Sequence, residues 1–247
     1  MKDISLLELL KSGAHFGQKK SRWNPKMKPF IYTTRGNVHI IDLEKTRTYL
    51  TQAAEFAKGI AQAGGTILFI STKRQARSIV KQQAESCGMP YINVRWLGGT
   101  FTNFRTIQRT VRKLEKLTQV SSSPDFEQKY TKKERLLIER EIEKLTKLFE
   151  GIKDMKRVPQ AVFIADVNHD DIALAESRKM KVPIIAINDT NTNPTLVDYP
   201  IPCNDDATAA VTLITTVIAQ AISEGKTAGM IVAKPVEAAP VDPEVAA

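Results

Sequence analysis

Three short apolar runs, spaced along the chain by helix-forming stretches, constrain this sequence more than any other feature. Residues 66–70 (TILFI), 161–165 (AVFIA) and 183–187 (PIIAI) are apolar on both alternating faces. Strands buried on both sides of a parallel sheet read this way. Two shorter runs, 38–41 (VHII) and 91–94 (YINV, after Pro90), read as further strands. Helical periodicity fills the gaps between them. Asp42 is placed to cap a helix through Leu50, Ala53, Ala54, Ala57 and Ile60, stopped at Gly64-Gly65. Ser71 or Thr72 is expected to cap the next helix, which ends near Gly88. A third helix runs through Ile172, Ala173 and Met180. The last begins at Asn204-Asp205-Asp206 and aligns Val211, Ile214, Ile218 and Ile222 on one face. Strand and helix in alternation imply right-handed βαβ units. The expected class is therefore α/β, a mostly parallel sheet of about five strands flanked by helices.

One stretch interrupts the alternation. Between Asn103 and Arg157 no strand signal occurs, and two helices flank a Ser121-Ser122-Ser123-Pro124-Asp125 turn. Phe104, Ile107, Val111 and Leu114 recur at spacings of three and four, as do Ile138, Ile142, Leu145, Phe149 and Ile152. That repeat is a coiled-coil seam, and the short turn makes the pair antiparallel. The expected organisation is an α/β body from 1–104 and 158–230, with an inserted coiled-coil hairpin at 105–157. Residues 231–247, rich in Pro, Ala and Glu, read as a disordered tail.

The charge is unevenly placed. Net charge is +9, yet residues 9–41 contain no acid and carry Lys11, Lys19, Lys20, Arg22, Lys26, Lys28 and Arg35. Residues 71–113 hold nine basic side chains against the single acid Glu85, whereas the stretch from Val158 onward is net acidic. Acid-free basic runs favour a polyanion partner over simple solvation. Cys87 and Cys203 have neither disulfide nor zinc spacing and read as buried apolar residues of a reducing, cytoplasmic compartment. No signal peptide and no run of eighteen apolar residues is visible, so no membrane partner is expected.

Catalytic signatures are sparse. His15, His39 and His169 form no metal-ligand pair, and neither a GxGxxG nor a GxxxxGK[ST] loop is present. Asp205-Asp206 could be paired catalytic carboxylates, but at a helix start they read first as capping groups. No metal, cofactor or catalytic residue is assigned. The rival enzyme reading is a phosphorylated small molecule held by Thr72-Lys73 at a helix N-terminus, with Asp189 nearby.

Two segments suit nucleic acid better. Arg22-Trp23-Asn24-Pro25-Lys26-Met27-Lys28-Pro29-Phe30 interleaves cations with aromatics and prolines, offering phosphate contacts and stacking surfaces. Arg95-Trp96-Leu97-Gly98-Gly99-Thr100-Phe101-Thr102-Asn103-Phe104-Arg105 repeats the style at the entrance to the hairpin. The RNA-contact candidates are Lys19, Lys20, Arg22, Trp23, Lys26, Lys28, Arg35, Lys73, Arg74, Arg95, Arg105 and Arg109. For Trp23 and Trp96 core packing is the competing role.

These segments closely resemble the bacterial ribosomal protein S two family of the small subunit. The similarity runs from about Ile4 to Glu224. It includes His15-Phe16-Gly17, Trp23 to Pro29, Val38 to Thr46 and Thr72 to Ala76. It continues through Arg95 to Thr100, Asp189-Thr190-Asn191 and Pro200 to Ala207. The chain departs from the family pattern at Gln18-Lys19, Val167, Thr192 and Ala209. The resemblance implies a flavodoxin-like sheet with an inserted coiled coil. It also implies a place at the head–body junction of the small subunit, bound to 16S ribosomal RNA. Neighbouring small-subunit proteins, among them the messenger-capturing protein S one where it exists, are the implied protein partners.

Overall fold

The computed structural model describes residues 4–233. Its first part builds a small sheet. Helix α1 (Leu6–Lys11) starts at a capping box, in which Ser5 and Glu8 bond each other's backbone. Strand β1 (Phe16–Lys19) leads into two 3-10 turns, Lys20–Arg22 and Pro25–Phe30, the second of which is denied a regular α-helix by Pro29. Strands β2 (Ile31–Arg35) and β3 (Val38–Ile41) follow, and the three strands pair antiparallel in the order β1-β3-β2.

The main body begins at Asp42, whose carboxylate accepts from the N–H groups of Glu44 and Lys45 and caps α2 (Leu43–Gln62) as expected. Then come β4 (Ile67–Ile70), α3 (Arg77–Ser86) and β5 (Tyr91–Ile92). The insertion contains α4 (Phe104–Ser121), the short α5 (Phe126–Lys129) and α6 (Lys132–Phe149). The body resumes with β6 (Ala161–Ile164), α7 (Asp171–Lys179), β7 (Ile184–Asn188), β8 (Tyr199–Pro202) and α8 (Thr208–Ala233). The five-stranded sheet has order β5-β4-β6-β7-β8, parallel throughout. Numbered within that sheet, this is the 2-1-3-4-5 order of flavodoxin-like folds.

The expected five strands and the observed five differ in one member. Residues 38–41 do form a strand, but in the antiparallel sheet, where it lies between β1 and β2, the two strands just before it in the chain. The vacated edge goes to β8. Its Pro200 and Pro202 weaken the strand signal, and both are tolerated because an edge strand bonds on one side only.

Each sheet face closes its own core. Ile67, Phe69, Ala161, Phe163, Ile185 and Ile187 point to the side covered by α2, α3 and α8. Leu68, Ile70, Val162, Ile164, Ile184 and Ala186 point to the other, covered by α7 and the inner half of the insertion through Ile107, Val111, Leu145 and Phe149. The insertion therefore shares the body's core at its base. Its two long helices run antiparallel, with Lys113 bonded to Glu141 and, nearer the body, Gln108 bonded to the Lys156 carbonyl.

Helix α8 starts at Thr208, after the predicted Asn204-Asp205-Asp206, whose side chains have other partners. It extends to Ala233, so the tail expected from residue 231 lies mostly outside the described residues. Helix α8 is long and apolar enough to cross a membrane, yet its Val211, Ile214, Ile218 and Ile222 are all within 2% of full burial in the core. It lies so close to α2 that a Cβ at Gly225 would collide with the Lys58 carbonyl.

Candidate nucleic-acid interface

Ligands of open parallel sheets bind at the carboxyl ends of the strands, where the order reverses. Here that point lies between β4 and β6, and the chain's own side chains fill it. After β4, the Thr72 N–H and hydroxyl both donate to Asp170, at 3.1 and 2.6 Å. The buried Lys73 ammonium pairs with Asp166 at 2.9 Å, Asp205 at 2.8 Å and Asp206 at 2.7 Å. Burial alone would lower its pKa, but the three carboxylates outweigh that and raise it. Burial and the neighbouring Asp166 and Asp189 push Asp205 up to about 7, while contact with Lys73 lowers Asp206. Asp189, Asp205 and Asp206 converge closely enough to suit a cation. Lys73 bonds two of them, and the Gln18 amide donates to Asp189 at 3.0 Å and to Asp206 at 2.9 Å.

Two sequence expectations change accordingly. Lys73 is withdrawn from the phosphate contacts, because its ammonium is saturated by three acids. Thr72-Lys73 also do not open a helix: α3 begins at Arg77, after residues whose side chains are committed to Asp170 and the acid cluster. The site invoked for a phosphorylated ligand is therefore closed. Nor do Asp205-Asp206 cap α8; they neutralise Lys73.

The same edge of the sheet carries the small antiparallel sheet. Gly17 lies against Thr190, directly after β7, where an added Cβ would overlap the threonine side chain. The Gln18 N–H donates to the Thr190 hydroxyl and the Asn24 N–H to the Thr190 carbonyl. The Thr46 hydroxyl donates to the Pro202 carbonyl at the end of β8. The first basic segment is thus fastened to the carboxyl edge of the parallel sheet. Lys19 and Arg35 are both register partners of Val38, so they project from one face, two strand spacings apart, roughly 10 Å. Trp23 is half-buried, its ring 5.0 Å from that of His39, which supports the packing role.

The second basic segment leaves the same edge at β5. Trp96 is buried, edge-on to Phe101 at 5.0 Å, so of its two readings core packing holds. Its indole N–H donates to Glu176 of α7, as do the backbone N–H groups of Gly99, Phe101 and Thr102. Helix α7 thereby anchors both turns that carry cations, the Thr72 turn through Asp170 and the Trp96 loop through Glu176. Sequence reasoning missed both acids. The only available signal was the string of unpaired N–H groups that Gly98-Gly99-Thr100 must satisfy somewhere.

Of the twelve candidates, Lys19, Lys20, Arg22, Lys26, Lys28, Arg35, Arg74, Arg95, Arg105 and Arg109 are exposed. Among the described residues none of these ten has a carboxylate at ion-pair distance; Lys26 reaches only the Thr195 hydroxyl. Of the nearby acids Asp166, Asp170, Glu176, Asp189 and Asp205 are buried and engaged internally, and the exposed Asp206 is held by Lys73 and Gln18. His39 and His169 bond Thr34 and Thr72 as scaffold, and burial lowers the pKa of His15 and His39.

A flavodoxin-like body with its ligand crevice closed by its own ion pairs, and with exposed cations that have no carboxylate partner among the described residues, defines a scaffold protein with a cationic surface. The profile of the family described as Ribosomal protein S2 matches residues 9–225, and the chain belongs to that family. Among curated relatives, the "Small ribosomal subunit protein uS2" of Nocardia farcinica is 48% identical over 222 residues, 90% of this chain and 78% of that protein. The protein of the same name from Corynebacterium efficiens is 47% identical over 225 residues, covering 91% and 82%. That of Thermobifida fusca is 48% identical over 222 residues, covering 90% and 76%.

Proposed function

We propose that this protein is a structural component of the small ribosomal subunit in the cytoplasm, binding 16S ribosomal RNA at the head–body junction. The observation that carries the reading is that ten of the candidate cations are exposed and, among the described residues, have no carboxylate at ion-pair distance. Lys19, Lys20, Arg22, Lys26, Lys28 and Arg35 would meet phosphates from the antiparallel sheet and its turns. Arg74, Arg95, Arg105 and Arg109 would do so from the Thr72 turn, the Trp96 loop and α4. Trp23, half-buried against His39, supplies a stacking surface. Among the described residues no groove-reading module accompanies these groups, so recognition is of RNA shape and backbone.

The α4–α6 hairpin acts as an arm toward RNA or a neighbouring small-subunit protein, and protein S one is among the partners recruited. The closed Lys73 cluster disfavours a small-molecule enzyme. The test is sedimentation of cell extract. The protein is expected to travel with small subunits and to be released by high salt. Recovery as a free species at low salt would contradict the proposal.

A further inference from the structure

Glu176 is a carboxylate on α7 only 8% exposed, facing the loop of residues 95–105 across the core. Its Oε1 accepts from the Trp96 indole N–H at 3.2 Å and the Gly99 N–H at 2.6 Å. Its Oε2 accepts from the Phe101 N–H at 3.0 Å, the Thr102 N–H at 3.1 Å and the Thr102 hydroxyl at 3.2 Å. Burial favours the neutral acid, but the donors of Gly99, Thr102, Phe101 and Trp96 outweigh it and lower the pKa. The group stays ionised, and its charge is spent on the loop.

No regular element spans residues 96–103, so this carboxylate, with the bonds from Thr100 to Leu97 and from Asn103 to Gly99, sets the path of the chain. The exposed cations stand at the two ends of that path. Arg95 adjoins the first donor, Trp96, and Arg105 follows the last, Thr102, by three residues.

We propose that Glu176 is a positioning residue for RNA binding, fixing the loop so that Arg95 and Arg105 meet phosphates at a set spacing. The proposal rests on the RNA-binding reading above. A buried acid suits the task, since an exposed one would repel the phosphates it is meant to bring in.

The experiment measures affinity of the full chain for 16S ribosomal RNA across a salt series, for wild type, Glu176→Gln, Glu176→Asp and Arg95→Ala/Arg105→Ala. Each phosphate contact contributes about 0.7–0.9 to the slope of log affinity against log salt. Glu176→Gln keeps the volume but turns amide hydrogens toward backbone donors. It is expected to flatten the slope by roughly 1.5–2, with little further change when added to the double arginine variant. Glu176→Asp should restore part of the slope. A folded Glu176→Gln with the wild-type slope, or a full additional loss in the arginine background, overturns the proposal. Where Glu176→Gln does not fold, Trp96→Phe decides, since it keeps a ring and removes one donor. Its slope should flatten by about 0.5–1, and an unchanged slope overturns the proposal. A flat response from wild type would instead bring down the RNA-binding reading, and this inference with it.

Discussion

Lys73 reads in the sequence as one more cation in a basic run, and its placement reverses that role. Three carboxylates surround its ammonium where the sheet order reverses, so it neutralises buried acids instead of recruiting phosphate. Lys73→Met would leave Asp166 and Asp205 buried without a counter-charge. Breaking a buried pair from one side costs about 3–5 kcal/mol, which urea unfolding will register. Asp189 supplies a pH signature. Burial pushes it up to about 6, against about 3.9 for an unfolded aspartate. Between those values the folded protein keeps a proton that the unfolded chain has released, so this group's contribution to stability declines as pH rises through the window. Asp189→Asn has no such proton to lose. Its stability relative to wild type is expected to improve as pH rises from about 4 to about 6 and to level off above, measured by urea unfolding across pH. A gap that narrows in the opposite direction would contradict this account.

At the level of elements, the insertion is both a wall of the core and an arm. Phe149 is 2% exposed and packs with the sheet face that includes Leu68 and Val162. Phe149→Ala is expected to cost about 3–5 kcal/mol, read as a lowered urea midpoint. Excising residues 118–140 and closing the gap with a short turn spares Ile107, Val111, Leu114, Leu145 and Phe149. That variant should unfold cooperatively, near the wild-type midpoint, and enter small subunits poorly; normal entry would argue against the arm. The elements that sequence reasoning located are those whose burial is continuous. β4, β6 and β7 are apolar on both faces, and the seams of α4 and α6 repeat in register. What escaped it depends on distant partners. Two prolines hid β8, whose tolerance of them comes from lying at an edge. The start of α3 was misplaced because Thr72 and Lys73 are claimed by Asp170, Asp166, Asp205 and Asp206, about a hundred residues away or more. Among the site residues the exposed cations were legible from composition, since acid-free stretches have no internal partner to pull them inward. Glu176 was not, because nothing near it in sequence marks it as the acceptor for a loop some seventy-five residues earlier.

Across the whole molecule, charge is sorted by depth as well as by sequence. Asp166, Asp170, Asp205 and Glu176 are buried and spent, together with the exposed Asp206, on Lys73, Thr72 and the Trp96 loop, while the other candidate cations stay at the surface. The parallel sheet acts as a frame from which the antiparallel sheet, the Thr72 turn and the Trp96 loop all project cations at one end. Binding should therefore be one-sided and dominated by phosphate contacts. The most direct measurement is the affinity of the full chain for 16S ribosomal RNA as a function of salt. With about six phosphates neutralised, log affinity should fall against log salt with a slope of about −4 to −5. A slope near zero would contradict the account.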